Sequence, residues 1–207
     1  SCLQLALVYT SLGRFSEAEH CFLQGAEYVK EHGSNRSDLA LNLAFLARTL
    51  AIQEKWVEAR AYALEALEAA EGQRYLYRTS VPTLTAPILA RTGSWDLGLT
   101  LLKDAAQRAE QMGFIKCLAY AYQSLAYLHF LHGDEGEAQE YTRLALAASA
   151  KINDLQNFVT CYHWYHPLLM YGLEAGIATS FVQQALRRVG ERCLKHLIPV
   201  VQMGSPE

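Results

Sequence analysis

The sequence predicts an all-α chain: a stack of about five antiparallel helical hairpins followed by a C-terminal helix. Three observations predict it. Apolar residues recur at helical spacing, as in Ala59, Tyr62, Ala63, Ala66, Leu67 and Ala70. Alternating β-branched runs and Asn-Gly hairpin turns are absent from the sequence. The chain also repeats itself, and a period of this order marks a stacked array.

Four blocks carry the repeat. They are Gly13-Arg14-Phe15-Ser16-Glu17-Ala18, Glu54-Lys55-Trp56-Val57-Glu58-Ala59, Gly93-Ser94-Trp95-Asp96-Leu97-Gly98 and Gly133-Asp134-Glu135-Gly136-Glu137-Ala138. Their last residues are spaced by 41, 39 and 40. Seven residues after each block end stand Gly25, Ala66, Ala105 and Ala145, and twelve before it Ala6, Ala47, Ala86 and Ala126. Small residues at fixed phase predict helix backbones in close approach. A further column, Gly33, Gly72, Gly113 and Asn153, supplies the residue types that a left-handed helix C-cap needs.

Taken in order, the first unit pairs a helix over 2–12 with one over 15–32, across Gly13-Arg14-Phe15. The second pairs 36–53 with the Ala- and Glu-rich 56–71. The third pairs 74–91 with 95–112, and Pro82 and Pro87 predict kinks in its first helix. A competing reading leaves 73–82 as a loop and starts the helix at Pro82. The fourth pairs 114–131 with 135–152. Ser94 and Asp134 are the expected N-caps of two second helices. In the fifth, 155–172 precedes 179–189, Pro167 predicts another kink, and His166 stands where the other units have Ala. The whole chain reads as one domain with units 1–33, 34–72, 73–113, 114–153 and 154–190 and a cap helix over 191–203.

Composition agrees. The 207 residues are 51% hydrophobic and 19% charged, enough for a core. A net charge of −3 argues against direct nucleic-acid contact and against an anionic-membrane surface. Two stretches lack Asp, Glu, Lys and Arg, Cys117–Gly133 and Leu155–Leu173, but both carry His, Gln and Tyr and read as buried helices rather than membrane spans. Five scattered cysteines without a CxxC pair fit small buried hydrophobes in a reducing, cytoplasmic setting. The opening Ser1-Cys2-Leu3, running straight into helical pattern, is expected of a piece of a longer protein.

The blocks resemble the tetratricopeptide repeat (TPR), whose turn reads Gly-x-aromatic-x-Glu-Ala. Phe15, Glu17 and Ala18 match it, as do Trp56, Glu58 and Ala59. Trp95 matches, while Leu97 and Gly98 depart, and Glu135 replaces the fourth aromatic. The period of about 40 exceeds the family's usual 34. The resemblance implies a TPR-like α-solenoid, a right-handed superhelix whose first helices line a concave groove. The passage containing Gly176-Ile177, Phe181-Val182, Leu186–Gly190 and Leu197-Ile198-Pro199-Val200 resembles the end of the helical domain in MalT-like, LuxR-type and antibiotic-regulatory-type bacterial ATP-dependent transcriptional activators. No Walker loop occurs in the chain.

Candidate chemistry is sparse. His129 with His132, and His163 with His166, each place two imidazoles on one helix face, but neither sits in an HExxH pattern. No Gly-x-Ser-x-Gly elbow is present. The expectation is no catalytic residue, no metal and no cofactor. Glu65, Glu68, Glu71, Glu137 and Glu140 read as solvated outer-face partners of cations. The cluster Arg187, Arg188, Arg192, Lys195 and His196 reads either as a docking surface or as cations near a helix's negative pole.

The resemblance implies exposed groove positions three before, one after and four after the small-residue column. These are Ala44, Arg48 and Ala51; Thr83, Pro87 and Ala90; Gln123, Tyr127 and Phe130; and His163, Pro167 and Met170. Arg91 and Tyr120 adjoin them. The expected binding groove is therefore Arg48, Thr83, Arg91, Tyr120, Gln123, Tyr127 and His163. Tyr and Arg suit recognition because they combine area with directed hydrogen bonds. The implied function is an effector-sensing, protein-interaction domain of a transcriptional regulator. A free-standing scaffold or peptide-pheromone receptor is the alternative. A protein or peptide is the expected partner, a small effector or a second copy of the chain the others.

Overall fold

The computed structural model describes residues 2–33 and 35–201, with side chains through 192. These form eleven helices and no strand among the described residues. The first four hairpins are α1 (Cys2–Ser11) with α2 (Phe15–His32), α3 (Arg36–Ile52) with α4 (Trp56–Ala70), α5 (Tyr75–Arg91) with α6 (Trp95–Gln111), and α7 (Ile115–His132) with α8 (Glu135–Lys151). The last unit has α9 (Gln156–Thr160), α10 (Tyr162–Glu174) and α11 (Thr179–Val201). Helices α1 to α8 each pack on the next in the chain, α8 then meets α10, and α3, α5 and α7 pack in sequence, so the molecule is an all-α helical-repeat solenoid.

The repeat is built as its small residues dictate. Ala6, Ala47, Ala86 and Ala126 are fully buried, as are Ala66, Ala105 and Ala145. The turns between paired helices all contain a residue of positive φ: Gly13, Glu54, Gly93 and Gly133. The next residue's amide then bonds five residues back, as from Arg14 to Tyr9 and from Asp134 to His129. That is the Schellman ending, and it reverses the chain at the same phase each time. The C-cap column behaves likewise, with Gly33, Gly72, Gly113 and Asn153 all at positive φ.

Gly98 departs from the Ala of its column for a packing reason. A Cβ there would lie 2.8 Å from the carbonyl oxygen of Ala86 and 2.7 Å from Ala90 Cβ. The third hairpin is thus closed too tightly for a methyl group.

Several expectations are corrected. α5 runs unbroken from Tyr75 through both prolines, so it does not begin at Pro82. Pro82 leaves the carbonyl of Arg78 without its helical donor, and Arg108 Nη1 approaches that oxygen at 3.4 Å. Ser94 and Asp134 occupy N-cap positions but make no side-chain cap bond. The Ser94 hydroxyl accepts from Arg60, and Asp134 accepts from His129 and His132 instead. The fifth first helix is two helices, interrupted at Cys161. The interruption lies within two turns before Pro167, whose nitrogen brings no donor to the His163 carbonyl. Helical phase slips there: Tyr165, Leu168 and Leu169 are buried while His166 is exposed. The expected cap helix over 191–203 is no separate element, since 191–201 continues α11 and 202–203 lie outside the described residues. Ser1 and the side chains of Cys193, Lys195 and His196 also lie outside what the structure describes.

The solenoid closes on itself. α9 meets α1, and α10 meets α7 and α8. Arg192 on α11 donates to the Val159 carbonyl at 2.9 Å and to the Thr10 carbonyl at 3.5 Å, with its guanidinium 5.8 Å from the Phe15 ring. Arg192 therefore bridges the ends of the array. Among the described residues no helix is long and apolar enough to cross a membrane.

Candidate partner-binding site

Closure brings residues together that are far apart in sequence. Trp164 of α10 stacks on Trp56 of α4, with ring centroids 6.1 Å apart, and on Tyr127 of α7 at 5.8 Å. Arg91, at the end of α5, lies 4.2 Å from the Trp56 ring centroid. Its Nη1 donates to the Tyr127 hydroxyl at 2.5 Å. His163 packs its ring against Trp164 at 5.4 Å. Trp56 and Tyr127 thus hold one guanidinium in a fixed place, and Trp164 stacks on both rings, at the cost of little side-chain entropy.

Electrostatics follow from this packing. Burial raises the Tyr127 phenol, and Arg91 opposes the shift. Burial lowers the His163 imidazole; Glu54 opposes this, while Arg91 and Arg192 add to it. Arg91 has no ion-pair partner among the described residues. The cluster presents an exposed, oriented cation on an aromatic platform, which suits a carboxylate.

Beneath it runs a polar chain. Arg48 Nη1 donates to Asn157 Oδ1 at 2.7 Å. The Asn157 amide donates to Gln123 Oε1, and Gln123 Nε2 donates to Ser149 Oγ at 3.0 Å. Asn157, Gln123 and Ser149 are buried, so this network satisfies groups that water cannot reach. Tyr120 joins neither set. Its hydroxyl lies 3.3 Å from Asp154, which also pairs with Lys116.

Of the expected groove residues, the structure gathers Arg91, Tyr127 and His163 into one cluster and Arg48 and Gln123 into another. Thr83 stands apart, its hydroxyl bonded to the Ser80 carbonyl of its own helix. Expected exposure fails for Thr83, Gln123 and Tyr127, which are 5%, 0% and 4% exposed. Neighbouring first helices and the returning fifth unit cover them. Trp56, Trp164, Asn157 and Ser149 were missed as site residues. Trp56 was legible only as a turn marker. The other three carry no sequence signal, because their partners lie up to 109 residues away.

The histidine pairs divide. His129 and His132 both turn Nδ1 toward Asp134, at 3.2 and 3.0 Å, and these bonds hold that carboxyl below its usual range. Among the described residues no three His, Cys, Asp or Glu side chains converge as metal ligands would. Cys21 and Cys161 are buried, Cys117 is half-buried, and Cys2 is exposed. Burial raises the Cys161 thiol, which keeps it protonated.

No protein-family model matches the chain, and no curated protein matches it either.

Proposed function

We propose that this chain is a binding module, not a catalyst, and that its Arg91 cluster recognises a carboxylate on a protein or peptide partner. One observation carries the reading. Arg91 is exposed, fixed over Trp56 and bonded to Tyr127, yet lacks an acidic partner among the described residues. A guanidinium held in this way has donors left for a ligand and loses little freedom on binding.

The cluster joins the second, third, fourth and fifth units, so a bound partner would also bias closure of the array. That coupling suits a sensor. The 40-residue period and the closing helices support a setting within a bacterial transcriptional regulator, acting without direct DNA contact. The coding sequence around the chain tests the setting. A Walker loop and a DNA-binding helix-turn-helix would support the regulator. Flanks of repeats alone would favour a free-standing peptide receptor.

Binding is tested with an array of short synthetic peptides, probed with the wild-type chain and with Arg91→Gln. The expected result is that bound peptides share a carboxylate and lose about tenfold in affinity with Arg91→Gln. Peptides bound equally by both proteins would overturn the assignment.

A further inference from the structure

A cleft of about 380 Å³ opens between α8 and α10. That volume is in the range of built ligand pockets. Phe130 at the end of α7 lines it, with Pro167, Met170 and Tyr171 of α10. Phe130 is 52% exposed and Met170 is 37% exposed, although both gain by leaving water. Glu135 and Glu174 also line the cleft, and no Lys or Arg does.

The stretch of chain that supplies the cleft is acidic as well. Residues 130–178 carry six carboxylates, at Asp134, Glu135, Glu137, Glu140, Asp154 and Glu174, against the two cations Arg143 and Lys151. Arg143 is already tied to Glu140, and Asp154 to Lys116 outside this stretch. Neither Glu135 nor Glu174 is ion-paired among the described residues.

The two carboxylates differ in their helix context. Glu135 opens α8, where the helix dipole favours a negative charge. Glu174 closes α10, at the negative pole, where the dipole disfavours it. An unpaired acid in that place, beside an apolar cleft, is a local electrostatic misfit that a cation would relieve.

We propose that this cleft docks an apolar side chain carried on a basic segment of a partner protein. Met170 and Phe130 receive the anchor, and Glu135 and Glu174 pair with Lys or Arg flanking it. The flexible thioether of Met170 lets the cleft adapt to aliphatic or aromatic anchors. The cleft shares no residue with the Arg91 cluster and has the opposite charge preference, so neither reading depends on the other.

The test uses the full chain with carbon-13-labelled methionine methyl groups. The probes are two blocked amphipathic peptides of Lys and Leu and of Glu and Leu in the same order, and a third with Lys and Ser. The Lys-Leu peptide is expected to shift the Met170 methyl signal and to leave that of Met112 in place. Glu135→Gln with Glu174→Gln is expected to weaken this binding about five- to tenfold, with an unchanged circular dichroism spectrum. Glu174→Gln alone serves if the double variant is unstable. Equal responses to the Lys-Leu and Glu-Leu peptides, an equal response to the Lys-Ser peptide, or no Met170 shift would each overturn the proposal. So would a Met170 shift that follows chain concentration without peptide, which would make a second copy the occupant.

Discussion

In the first four hairpins an Ala from the same column is buried at each contact between units, and a positive-φ residue reverses each chain at the same phase. In the fifth unit the first helix breaks at Cys161, Trp164 and Tyr165 turn inward, and His166, at the place of the small-residue column, is exposed. The regular region gains contact through backbone proximity. The irregular one gains it through large rings and polar groups that reach across the array. A periodic stack can extend indefinitely, whereas a unit that breaks the period can fold back and close it.

This contrast predicts two ways for the molecule to fail. The largest effect is expected at Phe158, which is fully buried against Tyr165 and Phe181. Phe158→Ala should cost about 3–5 kcal/mol through the cavity it leaves, measured by urea unfolding. In the regular region the damaging change is the reverse. Ala126→Leu should cost about 1–3 kcal/mol by overpacking. If the cavity variant proves harmless, the fifth unit is not the anchor argued for it.

Asn157→Ala sharpens the comparison next. It strips partners from Arg48 and Gln123 together, and should cost about 1–3 kcal/mol. Hydrogen exchange should then open α9 and α10 before α3 and α7. Exchange that accelerates equally in all four helices would show that the network does not hold the closure.

A smaller effect of opposite sign is expected at Glu54, the one non-glycine in the column of turns at φ 62°. Glu54→Gly should raise stability by about 0.5–1 kcal/mol, because it removes left-handed strain from a side-chain-bearing residue. The smallest effect concerns pH. His163 has its imidazole value lowered in the fold. The unfolded chain therefore binds this proton more readily, and stability falls as pH drops from about 6.5 to the folded value, with no further loss below it. His163→Gln should flatten that slope in pH-dependent melting curves.

The residue columns made the stack legible before any coordinates. Small residues, Gly-type caps and 3.6-residue periodicity act over a few neighbours, and their physics is local. Phase also placed Arg91, Tyr127 and His163 near one another, since a repeat carries each residue to a predictable face. It did not place Trp56 or Trp164 beside them, and it gave Gln123 an exposure that it lacks. Phase says which way a side chain points, and it does not say what another part of the chain later lays over it.

By itself, then, the sequence determined the helices, their pairing and the turns between them, because those rest on backbone sterics and on contacts between units adjacent in sequence. Only the tertiary structure decided that the fifth unit slips phase at Cys161 and returns to the first. That return rests on contacts between residues far apart in sequence, such as Arg192 with the Thr10 carbonyl, which no local pattern specifies. It is what sets Trp164 against Trp56, Asn157 against Arg48, and Arg91 at an oriented, unpaired surface.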